Sequence, residues 1–405
     1  MKNISSQLFS KTKLMFLSIV TILTHISNAA GSCQFITALN TGAPTISSYQ
    51  YVGQDPVPQF RSRLKTVEYP ELITVSENKK FVIVTDGHTG AATIHRIGSS
   101  CELTDTGYQL SSGSISYNPI AVLQFNHLVY VLRKGSRIEV HDFNPDTGKI
   151  FPAPVATKNL NYPPTDMAYN STNKNLYIAR QDGFTVLSSK LTERTDVPGA
   201  YTLATIREID RNYTPGKLQS FDNLLFATKA RAQNPGKDQS YFMAAYELGE
   251  EDGSEALRLH QMFRFQDKDE TPYAFSVSYY PFDVGYLPPG YGPEYIMAVT
   301  TGDKVYTYEL HNHGRIMDDS KVGILNLRYF APIIASTWSA NFNKLYTPNM
   351  GSFRFALLED YSGNLQTTIM MRDQDKSKGL DLIHTFATPN IIVPLNMVIS
   401  PAPEY

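Results

Sequence analysis

The sequence predicts an all-β fold: a seven-bladed β-propeller of four-stranded antiparallel blades, its last blade closed by the N-terminal strands. Three observations predict it. A strand-like core recurs at a near-constant interval, an aromatic residue close to a proline recurs seven times, and no long 3.6-residue periodicity competes.

The core appears as FVIVTD (81–86), VYVLRK (129–134), LYIARQ (176–181), LLFATK (224–229), YIMAVT (295–300) and LYTPNM (345–350). Successive starts lie 48, 47, 48, 71 and 50 residues apart. That interval fits a four-stranded blade and exceeds most helical repeats. The second mark lies about ten residues upstream of a core. It runs Tyr69-Pro70, Tyr117-Asn118-Pro119, Tyr162-Pro163-Pro164, Tyr213-Thr214-Pro215, Pro272-Tyr273 in reversed order, Tyr329 to Pro332, and Phe386 to Pro389. Proline cannot donate to a ladder, so each mark suits the loop that drops from one blade's outer strand to the next blade's inner strand. The seven marks therefore count seven inner strands.

A polar or glycine-bearing turn and another strand follow each core: AATIHRI (91–97), RIEVHDF (137–143), GFTVLSS (183–189) and KVYTYEL (304–310). These runs are rich in β-branched and aromatic residues. A parallel α/β fold would need helical segments between strands, and none is found. The seventh inner strand, expected at Asn390 to Pro394, leaves too little chain for a whole blade. CQFITALN (33–40) and TISSYQYVG (45–53) are strand-like and can complete it, closing the ring and covering its edges.

Residues 1–30 are set apart as a signal peptide. Lys2, Lys11 and Lys13 form a basic start without an acidic residue, Leu14 to Ile26 is an apolar run too short to cross a bilayer comfortably, and Ser27-Asn28-Ala29 gives a small-x-small cleavage pattern. Residues 31–405 are expected to be a single propeller domain, secreted or periplasmic. No later stretch has the length and apolarity of a transmembrane span. Without the leader, 33 basic residues stand against 38 acidic ones, a net charge near −5 in which nothing suggests a general nucleic-acid binder. A monomer is expected.

Cys33 and Cys101 are the only cysteines and could pair in an oxidising compartment. The rival reading is a lipid anchor on Cys33, because Ala30-Gly31-Ser32-Cys33 loosely resembles a lipobox, though without its large aliphatic residue. Asn170-Ser171-Thr172 and Asn212-Tyr213-Thr214 match the glycosylation acceptor pattern.

ITVSENKKFVIVTDGHTGAATIHRI (73–97) and MAYNSTNKNLYIARQDGFTVLSS (167–189) resemble the blade repeat of the YVTN and lactonase-like seven-bladed propellers. The resemblance covers two blades well and the others loosely. It implies the fold, and the export of many members. The family includes lactone hydrolases, but none of their active-site residues can be placed on this sequence, so the resemblance carries no activity over.

Blades 4 and 5 depart from the period, through KARAQNPGKDQ (229–239), GEEDGSE (249–255) and the Tyr-, Pro- and Gly-rich insert SYYPFDVGYLPPGYGPE (278–294). That insert suits either a binding surface or a packed cover. In a propeller the turns between second and third strands surround one mouth of the channel. Read together they supply the expected ligand-binding residues His88, Arg133, Lys134, Arg180, Asp182, Lys229, Arg231 and Lys304, with Asp86, Gln181 and Asp303 beside them. Six of these residues are basic and three acidic on an acidic chain, a balance that would favour an anionic ligand unless the turns are simply a solvated charged rim.

His311-Asn312-His313 lacks a third ligand, and Asp373 to Ser377 begins like a calcium loop but has Gly379 one place late and His384 where an acid belongs. No metal or cofactor is therefore expected. There is no Gly-x-Ser-x-Gly elbow, His-Glu-x-x-His helix or phosphate loop. Two functions remain: a binding or interaction protein for an anionic ligand or a protein partner, and a lactonase-like hydrolase at the basic mouth with His88 as acid-base candidate.

Overall fold

The computed structural model describes residues 35–40, 44–50, 59–111, 119–197, 199–211, 213–229, 243–251, 254–263, 274–279, 295–300, 304–311, 323–326, 333–339, 354–359, 364–369, 381–387 and 394–400. They are all-β, with no α-helix among them, and hence no helix long and apolar enough to cross a membrane.

The strands pair in consecutive quartets. β4 (Pro70–Val75), β5 (Phe81–Asp86), β6 (Ala92–Ile97) and β7 (Leu103–Leu110) form one sheet. β8 (Pro119–Phe125), β9 (Leu128–Arg133), β10 (Arg137–Phe143) and β11 (Ile150–Asn159) pair in the same way. So do β12 (Pro164–Asn170), β13 (Asn175–Arg180), β14 (Gly183–Glu193) and β15 (Tyr201–Asp210). These last two quartets merge into an eight-stranded sheet, because β11 runs parallel to β15 where Ala156 meets Tyr201. Next come β16 (Pro215–Phe221), β17 (Leu224–Lys229), β18 (Met243–Glu251) and β19 (Ser254–Phe263). β20 (Ala274–Tyr279), β21 (Tyr295–Thr300), β22 (Lys304–Leu310) and β23 (Gly323–Asn326) follow. β24 (Ile333–Ser339), β25 (Arg354–Glu359), β26 (Asn364–Ile369) and β27 (Asp381–Ala387) form another sheet.

The remaining sheet joins the two ends of the chain in the order β28-β1-β2-β3, with β1 (Phe35–Asn40), β2 (Thr45–Gln50), β3 (Gln59–Lys65) and β28 (Pro394–Ser400). The leading strands β4, β8, β12, β16, β20, β24 and β28 touch one another in that order, and β28 returns to β4.

Proline starts five of these leading strands, the exceptions being β20 at Ala274 and β24 at Ile333. Pro70 lies opposite Asp86, Pro119 opposite Arg133, Pro164 opposite Arg180, Pro215 opposite Lys229 and Pro394 opposite Asn40. A first strand position tolerates the missing N–H. The register then shifts at Pro70/Leu72, Pro119/Ala121, Pro164/Asp166 and Pro215/Leu218, and a bulge of this kind re-aims the side chains that follow it.

The repeated core is mostly apolar because the second strands are buried on both faces. Phe81 and Ile83 pack with Val129 and Val131 on one side of β5, while Val82 and Val84 pack with Ile46 and Leu103 on the other. Tyr130, Leu132, Ile138 and Val140 meet Leu176 and Ile178 across the next interface. Each such side chain contributes roughly 1.5–3 kcal/mol by leaving water. Gly148, at φ 80°, closes the turn before β11, and a Cβ there would stand 2.6 Å from the Phe81 ring. Cys101 is buried and disulfide-bonded; Cys33 lies outside the described residues.

The end of the chain differs from the sequence expectation. The second strand of the β24 quartet is RFALLE (β25) rather than LYTPNM (345–350), whose positions lie outside the described residues. Pro348 within LYTPNM removes a ladder donor, whereas RFALLE has none to lose. Phe386 and Ala387 consequently end the outer strand β27, and the final leading strand begins at Pro394 rather than Asn390. The Asn170 acceptor pattern is also closed: its side chain is buried, donating to Ser220 Oγ (2.7 Å) and the Asp222 carbonyl while accepting from the N–H groups of Thr172 and Asn173.

Candidate functional site

The proline register explains why the candidate residues share one end of the sheets. Asp86, Arg133, Arg180 and Lys229 occupy the same position, the last of a second strand and opposite the proline that starts a leading strand. His88, Lys134, Gln181 and Asp182 follow in the turns, all exposed. Lys304 begins β22, while Arg231 and Asp303 lie outside the described residues, as do the 280–294 part of the aromatic insert and His313.

Asp86 organises the first of these turns. Its buried carboxylate accepts N–H bonds from Tyr69 (3.0 Å), His88 (2.9 Å) and Thr89 (2.8 Å). Burial alone would raise its pKa, but the Thr89, His88 and Tyr69 amides outweigh it and hold the carboxyl below its ordinary value. The outcome is a fixed platform on which exposed Tyr69 meets the His88 ring edge-on, 5.5 Å between centroids.

Arg180 is also anchored. Its side chain is only 2% exposed, and it donates to Glu208 Oε2 (3.0 Å), the Gln181 carbonyl (2.9 Å) and Asp210 Oδ1 (2.6 Å). Its guanidinium lies 4.2 Å from the centre of the exposed Tyr162 ring. Thr185 Oγ1 donates to the same Glu208 Oε2 at 2.7 Å. Two acids thus hold this guanidinium, a third, exposed Asp182, lies in the adjoining turn, and neighbouring Arg211 reaches away to the Leu257 carbonyl (2.7 Å).

The β9–β10 turn has the opposite balance. Arg133 Nη1 lies 3.4 Å and Arg137 Nε 3.1 Å from the same oxygen, Oε1 of buried Glu139. Lys134 is exposed between the arginines in sequence. Two guanidinium groups therefore share one carboxylate, and with exposed Lys134 in the same turn three cations stand against one acid, a formal excess of two positive charges. The basic mouth read from the sequence thus resolves into a positive sector at β9–β10 and a negative one at β13–β14.

Sequence reasoning found Arg133, Lys134 and Arg180 but missed Arg137, Glu139, Glu208 and Asp210. The strand alternation of RIEVHDF could have exposed Arg137 and Glu139, which lie two residues apart and so on one face. Glu208 and Asp210 come from an outer strand with no core pattern to mark it.

No protein-family model matches the chain, and no curated protein does. Solved structures do match in shape. The periplasmic gluconolactonase PpgL of Pseudomonas aeruginosa superposes with a TM-score of 0.61 at 11% identity, covering 92% of this chain and 99% of its own. A Bacteroides uniformis protein provisionally assigned as a 6-phosphogluconolactonase gives 0.59 at 13% identity, over 91% and 100%. The β-propeller domain of Cps50 (Swd1) from Myceliophteria thermophila gives 0.50 at 10% identity, over 82% and 94%. The fold is propeller-like. At these identities the likeness extends to the fold alone.

Proposed function

We propose that this chain is an exported seven-bladed β-propeller of the YVTN and lactonase-like kind that binds a small anionic ligand at its proline-started end. The observation that carries this reading is the excess of cations over carboxylates around Glu139. Arginines already oriented by a buried carboxylate can offer their remaining N–H groups to a carboxylate, sulfate or phosphate with little loss of side-chain freedom. Exposed Tyr69 and Tyr162 supply rigid apolar area at the same end. The cyclic contact of the leading strands and the β28–β1 pairing support the blade count.

The disulfide at Cys101 supports an oxidising destination, in agreement with the leader-like residues 1–30. It also argues against a lipid anchor, which would need the thiol of Cys33, the only other cysteine.

Isothermal calorimetry against sulfate, phosphate and small carboxylates at low and high salt tests the reading. The wild type should bind at least one of them, more weakly as salt rises, and Arg133→Ala/Arg137→Ala should lose about tenfold or more in affinity. Absence of binding, or equal binding by the double variant, would refute it.

A second reading is favoured by the shape likeness to gluconolactonases: a lactone hydrolase with His88 as acid-base residue. Turnover of gluconolactone or 6-phosphogluconolactone that disappears in His88→Ala would establish it. No turnover would leave the binding function alone.

A further inference from the structure

Behind the β9–β10 turn lies a buried acid-histidine pair. Glu139 and His141 alternate along β10 on the face turned toward β4–β7, and both are buried. His141 Nδ1 is 3.1 Å from the Phe151 carbonyl, so that nitrogen carries the hydrogen and Nε2 is bare in the neutral ring. Among the described residues Nε2 has no hydrogen-bond partner, and it stands 4.0 Å from Glu139 Oε2, while Arg133 Nη1 and Arg137 Nε contact Oε1. Two acceptors thus face each other at a buried position, a juxtaposition that one proton would convert into an ion pair.

We propose that Glu139 and His141 are a proton-operated brake on the anion site at Arg133, Lys134 and Arg137. This rests on the anion-binding reading above. With His141 neutral, Glu139 offsets part of the arginine charge. When Nε2 takes a proton from solvent, the new N–H donates to Oε2 and the imidazolium competes with the arginines for the carboxylate. The formal charge of the cluster rises by one, and an anion at the mouth is held more tightly. Linkage requires the reverse effect too: a bound anion eases protonation of His141.

The surroundings leave few rival titrating groups. On β10 itself the charged groups are Arg137, Glu139 and Asp142, Arg137 acting through Glu139; β9 supplies Arg133 through Glu139, and β11 supplies the Phe151 carbonyl. From β5 and β6 the facing cluster is Phe81, Ile83, Ala92 and Ile94, and from β7 the half-buried Tyr108. Burial holds the His141 pKa below its ordinary value, partly opposed by the Phe151 carbonyl and Glu139, so the brake is set at neutral pH and releases in acid. His88, exposed at the same end, is the other histidine that would favour an anion on protonation.

The test is sulfate affinity, since sulfate keeps its charge from about pH 8 to about pH 5. It is measured with the full mature chain in a His88→Asn background, with and without His141→Gln, alongside histidine-ring NMR titration of both proteins and of Glu139→Gln. The proposal predicts affinity rising about fivefold or more on acidification, and a flat profile in His141→Gln. It also predicts a His141 midpoint that falls in Glu139→Gln and rises on adding sulfate. Sulfate binding whose pH dependence survives His141→Gln would overturn the brake while leaving the anion site intact. A His141 midpoint coupled to Glu139 without any sulfate binding would overturn the anion site, and the brake with it, while leaving the pair itself established.

Discussion

Arg180→Ala tests whether the Arg180 guanidinium belongs to the scaffold, in contrast to the arginines of the proposed anion site. The substitution removes bonds to the Gln181 carbonyl and to Glu208, a stacking contact with Tyr162, and a bond to Asp210. Asp210 is 85% exposed and regains water, so its share is close to nothing. Glu208 is 31% exposed and keeps its Thr185 bond, which softens the loss on that side. About 1 kcal/mol for the carbonyl bond, about 1 for Glu208 and about 0.5–1 for the ring contact give roughly 2–3 kcal/mol of destabilisation. Urea unfolding read by tryptophan and tyrosine fluorescence reports it, with Arg133→Ala as the contrast. Arg133 shares Glu139 with Arg137 and is partly exposed, so its loss should cost no more than about 1 kcal/mol. Equal and negligible losses in both variants would refute the assignment of Arg180 to the scaffold.

Gly148→Ala should destabilise by roughly 2–4 kcal/mol, since the new methyl meets the Phe81 ring in a turn at positive φ; an unchanged urea midpoint would contradict this packing. Removing residues 33–53 should expose the edge of β28 and sharply lower the thermal midpoint or the solubility, and a truncated chain as stable as the whole would sink the closure. Protein recovered from an oxidising compartment should show no thiol to labelling reagents after denaturation, whereas a labelled Cys101 would contradict its bonding.

Much of the fold was legible because it is written in positions buried on both faces. FVIVTD is buried at every position and its counterparts in β9 and β13 expose only their trailing turn residues, and the prolines at 70, 119, 164 and 215 mark the leading strands directly. The last quartets were less legible. LYTPNM matched the core in composition alone, and its interior proline was the warning. The site was half legible for a similar reason. Turn residues such as Arg133 and Lys134 follow from the repeat, but their net field depends on Glu139, Glu208 and Asp210, and strand pairing rather than spacing brings those carboxylates in. Arg180 and Arg133 are equivalent in sequence pattern and in register. They differ in how many acids the neighbouring strands supply.

The most direct test of the anion site is a crystal structure of the protein soaked in tungstate, an electron-dense stand-in for sulfate or phosphate. The account predicts anion density within hydrogen-bonding distance of Arg133 and Arg137 at the β9–β10 turn, and none beside Arg180, where Glu208, Asp210 and Asp182 repel it. Density at the β13–β14 turn instead, or none at that end of the sheets, would contradict it.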